Sequence, residues 1–172
     1  MDKKTIISIF LIVIGVTGLV LWSKSVDTKE LDAREARKSS LVIEEKLSLS
    51  EKLYDFGSIS MKNGNVSTVF TVTNISDKDI KIPSLYTSCM CTQAYVLKQD
   101  GTKKGPYGMP GHGGVVPKVN EILRPREALQ IEVVYDPNAH GPAGVGLIER
   151  AVILEDENKN MVEFIFRASV TP

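Results

Sequence analysis

The chain has 172 residues, 21 of them basic and 21 acidic, so its formal net charge is zero and nothing in it indicates a basic surface for nucleic acid. Hydrophobic residues make up 42% of the chain, enough for one domain with a single core. Neither a nucleic acid nor a small-molecule substrate is an expected partner.

The N-terminal segment resembles a membrane anchor. Lys3 and Lys4 precede an uncharged, mostly apolar run over residues 5–22, close to the roughly 20 residues that a helix needs to cross a bilayer. The run ends without the small-residue site of a cleaved signal peptide. We therefore expect residues 1–23 to form an uncleaved signal anchor, a single transmembrane helix, with a cleaved signal as the alternative. Either way the main domain is expected outside the cytoplasm, in the periplasm or at the cell surface.

The next segment, residues 24–50, is charged and polar. Its stretch DTKELDAREARK, residues 27–38, is rich in helix formers but has little apolar surface to bury. We expect a short, partly helical stalk or linker between the membrane and the domain that follows.

Residues 51–172 alternate apolar and polar side chains, a pattern typical of strands with one buried face. The clearest cases are VSTVFTVTN (66–74), ALQIEVVYDPN (128–138) and VEFIFRASVTP (162–172), and further strands are expected near 52–59, 80–86, 92–97 and 147–155. Turn-forming residues separate these segments. Several short strands without a long amphipathic helix predict an all-β domain, an Ig-like antiparallel β-sandwich.

A long connection interrupts this pattern over residues 98–125. It contains six glycines and four prolines. Connections of this length are uncommon in compact domains and are usually functional or disordered. Because Tyr107, Met109 and His112 lie among the glycines, we predict an ordered loop that binds a ligand.

Both cysteines fall in SCMCT, residues 88–92, with only Met90 between them. A disulfide, a soft-metal chelate, a redox pair and two buried small side chains are all possible. In an extended segment Cys89 and Cys91 would point to the same face, with Cα atoms roughly 6.5–7 Å apart, at the upper end of the disulfide range. A disulfide would therefore require local bending, whereas a metal would protect both thiols in an oxidising compartment without it.

Other soft donors favour the metal. The chain has only two histidines, His112 and His140, both followed by glycine, and Met109 lies three residues before His112. Thiolate, thioether and imidazole ligands suit Cu(I), and cysteine with histidine also suits zinc. We predict a metal site of Cys89, Cys91, Met109, His112 and His140 that binds Cu(I) rather than zinc. Strand order places the cysteines and His140 at one end of the sandwich, while the long loop must run back to reach them.

Several motifs resemble those of a known family. In order they are YDFGSI (54–59), TVTNIS (71–76), SCMCT (88–92), IEVVYDP (131–137) and FRASVTP (166–172). Together they resemble a bacterial immunoglobulin-like domain of unknown function, related to the Hydin-type and PapD-like sandwiches, over about residues 50–172. The resemblance implies an Ig-like sandwich at the cell surface or in the periplasm and implies no reaction. Met90 replaces the glycine usual in the family's cysteine motif, and the long loop replaces a short connection.

No arrangement of catalytic residues stands out, and the cysteine pair lies in a β context rather than at a helix N-terminus. We expect a non-enzyme. The first hypothesis is a membrane-anchored domain outside the cytoplasm that binds Cu(I). The alternative is a cell-envelope interaction module in which Cys89 and Cys91 form a structural or redox-sensitive disulfide.

Overall fold

The computed structural model describes Arg37, Ser40 and residues 45–111 and 116–172. Within these residues the chain forms eleven β-strands and two 3-10 helices, the latter at Met61–Asn63 and Gly141–Gly144. The strands are β1 (Leu47–Leu49), β2 (Leu53–Ser60), β3 (Val66–Asn74), β4 (Ile80–Ile82), β5 (Ser84–Thr87), β6 (Thr92–Leu97), β7 (Lys103–Tyr107), β8 (Glu121–Leu123), β9 (Ala128–Tyr135), β10 (Gly146–Glu155) and β11 (Met161–Thr171).

The strands form two main sheets and one small one. One main sheet has the order β1-β3-β9-β6-β7 and the other the order β2-β11-β10-β5, while β4 pairs with β8. All pairs are antiparallel except β2 with β11, which is parallel. The expected antiparallel sandwich is therefore corrected at this pair. The two strands come from opposite ends of the domain sequence, so no tight hairpin has to join them.

The two main sheets share one hydrophobic core. The ring centroids of Phe70 on β3 and Phe164 on β11 are 5.1 Å apart, and those of Tyr135 on β9 and Phe166 on β11 are 5.5 Å apart. This places side chains from both sheets in direct contact, as in a β-sandwich. The alternation that predicted the strands is confirmed, since the inward-facing positions of β11 are all buried: Val162, Phe164, Phe166, Ala168 and Val170.

The N-terminal segments largely lie outside the described residues. The proposed anchor over residues 1–23 is not described, nor is most of residues 24–44. In the part that is described, no helix is long and apolar enough to span a membrane. The strand β1, which falls in the segment assigned to the stalk, pairs with β3 from Leu47↔Asn74 to Leu49↔Val72.

The long connection is not one continuous loop, which corrects the sequence-based expectation. Residues 98–102 reverse the chain, and β7 then pairs with β6 from Leu97↔Lys103 to Ala94↔Tyr107. The glycine and proline within β7 indicated a turn in the sequence, so this strand was not predicted. Proline is nevertheless tolerated in a strand at the edge of a sheet. Because β7 runs antiparallel to β6, it returns the chain to the end of the sandwich where β6 begins.

Candidate functional site

The two cysteines lie in the turn that joins β5 to β6. The backbone N–H of Thr92 donates to the carbonyl of Cys89 at 3.2 Å, which closes the turn. The Cα atoms of Cys89 and Cys91 are 5.2 Å apart. The extended geometry assumed from the sequence is therefore wrong here, and the turn brings the pair well within disulfide range.

The sulfur atoms of Cys89 and Cys91 are at bonding distance. They are 2.15 Å apart, and neither cysteine of the chain is free. Cys89 is 8% exposed and Cys91 is 2% exposed, while Met90 between them is 55% exposed. The turn thus directs both sulfurs inward and its central side chain outward.

Several hydrogen bonds fix this turn independently of the sulfurs. The buried hydroxyl of Thr87 lies 3.0 Å from the carbonyl of Cys89 and 3.1 Å from that of Thr92, and it can donate to either. The carbonyl of Cys91 accepts from the backbone N–H of Asp136 at 2.9 Å, which ties the turn to the end of β9. Thr87 was not among the predicted site residues, and its only signal in the sequence was its place two residues before Cys89.

His140 reaches the cysteines from the connection after β9. The Asp136 carboxylate accepts from the backbone N–H of Asn138 at 2.8 Å, and the Asn138 side chain donates to the carbonyl of Met61 at 2.8 Å. These bonds shape a compact turn that ends at the 3-10 helix Gly141–Gly144. The exposed His140 precedes that helix, and its Nε2 lies 3.2 Å from the Sγ of Cys89.

The structure therefore brings together three of the five predicted ligands. Cys89, Cys91 and His140 each offer one ligand atom, and these atoms all lie within 4.8 Å of one another. Two sulfurs and one imidazole form a donor set that suits Cu(I) or zinc. Because a metal binds thiolates and not a disulfide, the set fits an ion only after the bond between the sulfurs has been reduced.

The other two predicted ligands are Met109 and His112. The carbonyl of Gly108 accepts from the backbone N–H of Thr87 at 3.2 Å, so the chain just before Met109 returns to the cysteine end of the sandwich. Met109 itself is half-buried. His112 lies outside the described residues.

Comparisons with known proteins agree with the fold and supply no activity. A family model described as "Protein of unknown function (DUF1573)" matches residues 47–107, which include both cysteines and not His140. A comparison with curated proteins finds no match. Together with the sheets described above, the family match supports an Ig-like domain of unknown function.

Several solved structures match this chain at low sequence identity. A protein of unknown function from Porphyromonas gingivalis W83 has a TM-score of 0.52 at 11% identity, over 72% of this chain and 46% of that one. A PapD-like domain of human CEP192 has a TM-score of 0.41 at 12% identity, over 73% and 85%. The class 5 fimbriae chaperone CfaA has a TM-score of 0.43 at 15% identity, over 73% and 57%. The chain thus spans less than half the length of the Porphyromonas gingivalis protein.

Proposed function

We propose that this chain is a cell-envelope interaction module, anchored by residues 5–22 with its Ig-like domain outside the cytoplasm. In this proposal Cys89 and Cys91 form a redox-sensitive disulfide beside the binding surface. The observation that carries the proposal is the disulfide between Cys89 and Cys91 in a turn that adjoins an open sheet edge. A disulfide also agrees with an oxidising compartment. We expect the module to bind a protein and not to turn over a substrate.

The open edge belongs to β10. The neighbouring strand β5 pairs with β10 only from Val152 to Glu155, although β10 begins at Gly146. The N–H of Ser88 donates to the carbonyl of Ala151 at 2.9 Å, and after Ser88 the chain leaves the sheet. Among the described residues, no strand pairs with β10 from Gly146 to Arg150 on the side opposite β11.

The backbone of this edge can accept an extended peptide. The N–H of Ala151 donates to the hydroxyl of Ser88 at 2.8 Å, so the polar backbone groups of Ala151 point toward the β5 side. Because strands have a two-residue period, those of Glu149 and Leu147 point the same way, although the carbonyl of Glu149 already accepts from the Arg150 side chain at 2.8 Å. The Leu147 side chain is 90% exposed. An added strand would gain main-chain hydrogen bonds and apolar contact with Leu147.

The cysteine turn and this edge are directly connected. Ser88 occupies the last paired position of the edge and is the residue before Cys89. In this proposal, opening the bond between the cysteines relaxes the position of Ser88, the residue that ends the pairing of β5 with β10. This connection is why we place the redox-sensitive bond and the binding surface in one module.

The state of the cysteines is the first test. The purified full chain is treated with an alkylating reagent under denaturing conditions, without and with prior reduction, and its intact mass is measured. We expect no adduct before reduction and two adducts after it. Two adducts without reduction would contradict the proposal and place the metal hypothesis first.

The binding surface is tested in cells. A photo-crosslinking amino acid at Leu147 is expected to give a discrete crosslinked product whose yield changes in the Cys89→Ser variant. Ile122, which is 53% exposed on β8, provides a control position of similar chemistry. Equal products from both positions would argue against the β10 edge.

The location is tested with a membrane-impermeant thiol reagent. After mild reduction, intact cells with a permeabilised outer layer are expected to show labelling of Cys89, because the proposal places the domain outside the inner membrane. Labelling only after lysis would overturn this location.

A second candidate function is metal binding by Cys89, Cys91 and His140 after the disulfide has been reduced. Cu(I) is the preferred ion, and zinc is the less favoured one. The observation in its favour is His140 Nε2 at 3.2 Å from the Sγ of Cys89. Met109 and His112 are proposed as further ligands. The test titrates the reduced full chain with Cu(I) against a competing chelator. Tight binding that is lost in Cys89→Ser and weakened in His140→Ala supports the site, whereas binding unchanged by Cys89→Ser contradicts it.

A further inference from the structure

We infer that Cys89 is the sulfur through which this site exchanges disulfides with an external thiol, and that Cys91 is the sulfur that closes the bond again. The inference rests on the redox-sensitive disulfide proposed above and names the chemistry of its exchange partner. That partner is a thiol or its disulfide, supplied either by a low-molecular-weight compound or by a cysteine of a bound protein.

The two sulfurs differ in access. Exchange requires an attacking sulfur to reach one of the two bonded sulfurs from outside, so access decides which of them carries the mixed disulfide. Cys89 is 8% exposed and adjoins the exposed side chain of His140. Cys91 is 2% exposed, and its Sγ lies 3.7 Å from the hydroxyl of Thr92, which is itself buried. We therefore expect an incoming thiol to meet Cys89 first, although Cys91 also borders a small surface cleft with Met90 and Asp136.

The surroundings of Cys89 also favour its reaction. The ring nitrogen of His140 is 3.2 Å from its sulfur and can donate a hydrogen bond to it. The backbone N–H of Cys91 donates to the same sulfur at 3.3 Å. Two donors directed at one sulfur stabilise negative charge there.

The exchange balances in both directions. In reduction, the thiolate of an external thiol attacks Cys89, the Cys89–Cys91 bond breaks, and Cys91 leaves as a thiolate that takes a proton from water. A second external thiolate then attacks the external sulfur of the mixed disulfide and releases Cys89. The protein disulfide is reduced to two thiols while two external thiols are oxidised to one disulfide, and oxidation follows the same steps in reverse.

The turn supports re-closure. The hydrogen bonds from Thr87, Thr92 and Asp136 to the turn carbonyls do not involve the sulfurs, so they persist when the bond between Cys89 and Cys91 opens. The Cys91 sulfur is then held next to Cys89 at a high effective concentration. A mixed disulfide on Cys89 is therefore short-lived in the wild-type protein.

The test uses single-cysteine variants of the full chain and oxidised glutathione, followed by intact mass. Cys91→Ser, which keeps Cys89, is expected to form the glutathione adduct about tenfold faster than Cys89→Ser, because the retained sulfur is the accessible one. Reduced wild type is expected to return to the internal disulfide with only a transient adduct. Equal rates, or a faster reaction of Cys89→Ser, would overturn the inference.

Two further arms complete the test. In the Cys91→Ser background, His140→Ala is expected to slow adduct formation several-fold, and His140→Gln, which keeps a side-chain N–H, to recover part of the rate. An unchanged rate in His140→Ala overturns the role of His140. A disulfide-linked peptide in place of glutathione distinguishes the two sources of thiol, since the faster of the two reagents identifies the class.

Folding and the proposed function are controlled separately. If Cys91→Ser does not fold, as judged by circular dichroism, reduced wild type is labelled with less than one equivalent of reagent and mapped, and label on Cys91 overturns the inference. If the wild type contains no disulfide, the proposed function itself fails. If the disulfide forms but Cys89 is not the reactive sulfur, only this inference fails.

Discussion

At the scale of single residues, Thr87 decides the shape of the cysteine turn. Its side chain is 1% exposed and its hydroxyl lies within hydrogen-bond distance of the carbonyls of Cys89 and Thr92. A buried carbonyl that loses its donor retains the cost of desolvation without compensation. The order of the turn therefore depends in part on this hydroxyl group, beside the backbone hydrogen bonds from Thr92 and Asp136.

Thr87→Val is expected to lower the free energy of unfolding by about 1–2 kcal/mol, since it removes this donor while keeping the side-chain volume. It is also expected to shift the midpoint of Cys89–Cys91 reduction, because the turn that holds the sulfurs together loosens. Urea denaturation measures the first effect and alkylation in thiol buffers the second. Thr87→Ser keeps the hydroxyl and should leave the reduction midpoint at the wild-type value. A midpoint that moves equally in both variants would contradict this role.

At the scale of elements, β7 is the strand that brings the long connection back to the cysteines. Its pairing with β6 requires a close approach at Gly105, which has a φ of +139°. A Cβ added there would lie 3.0 Å from the carbonyl oxygen of Ala94 and 3.2 Å from the ring of Tyr95. Glycine at this position thus permits the hairpin.

Gly105→Ala is expected to cost about 2–4 kcal/mol of unfolding free energy, from a backbone conformation unfavourable to alanine combined with the contact to β6. Gly101→Ala is the matched control, since Gly101 also has a positive φ, of +82°, but no atom within 4 Å of an added Cβ. It should cost only about 1 kcal/mol. Urea denaturation of both variants measures the difference, and equal losses would show that the contact with Ala94 is unimportant.

The same element shows what the sequence could and could not predict. The strands β3, β9 and β11 were predictable because each buries one face and alternates with a two-residue period. The strand β7 was not, because Gly105 and Pro106 are turn formers unless an edge position accommodates them. The parallel pairing of β2 with β11 depends on contacts between distant parts of the chain, which no local pattern records.

The candidate site, too, was predictable from the sequence only in part. The order of the connections was sufficient to predict that Cys89, Cys91 and His140 come together at one end of the sandwich. The bend at Met90 was not predictable, because it depends on hydrogen bonds from Thr87 and from the far end of β9. The choice between an extended pair and a disulfide therefore depended on tertiary contacts.

At the scale of the whole molecule, carboxylates set the response to acid. Burial raises the pKa of Glu121, but hydrogen bonds and attraction from Lys104 and Lys98 outweigh it and leave the pKa below its ordinary value of 4.5. A hydrogen bond from the backbone of Gly57, together with Arg167, lowers the pKa of the exposed Asp55. A carboxylate whose pKa is lower in the folded state adds stability above its unfolded pKa, and this stability is lost as the pH falls.

The unfolding free energy is therefore expected to decrease as the pH falls from roughly 5 to 3, where these carboxylates become protonated. Glu121→Gln should lower the stability at neutral pH and make this decrease shallower, because one of the contributing groups no longer titrates. Urea denaturation at a series of pH values and constant ionic strength measures both effects. A slope in Glu121→Gln equal to that of wild type would show that Glu121 does not contribute.

The spacing of the cysteines determines what their bond does for the molecule as a whole. The Cys89–Cys91 disulfide has a sequence separation of 2, so it encloses Met90 alone. Cross-links stabilise folded proteins largely by restricting the unfolded chain, and so small a loop restricts it by about 1.6 kcal/mol in the chain-entropy estimate. Reduction is thus expected to lower the melting temperature by only a few degrees, measured by thermal unfolding with and without reductant, and global unfolding on reduction would contradict this.

A bond that contributes so little to stability can be opened and closed in a molecule that stays folded. We expect the sandwich to retain its core in either state and the difference between the states to be confined to one turn and to the sheet edge that Ser88 limits. Such a bond is suited to recording the redox conditions around the domain, since its state can change repeatedly without exposing the core to aggregation or proteolysis.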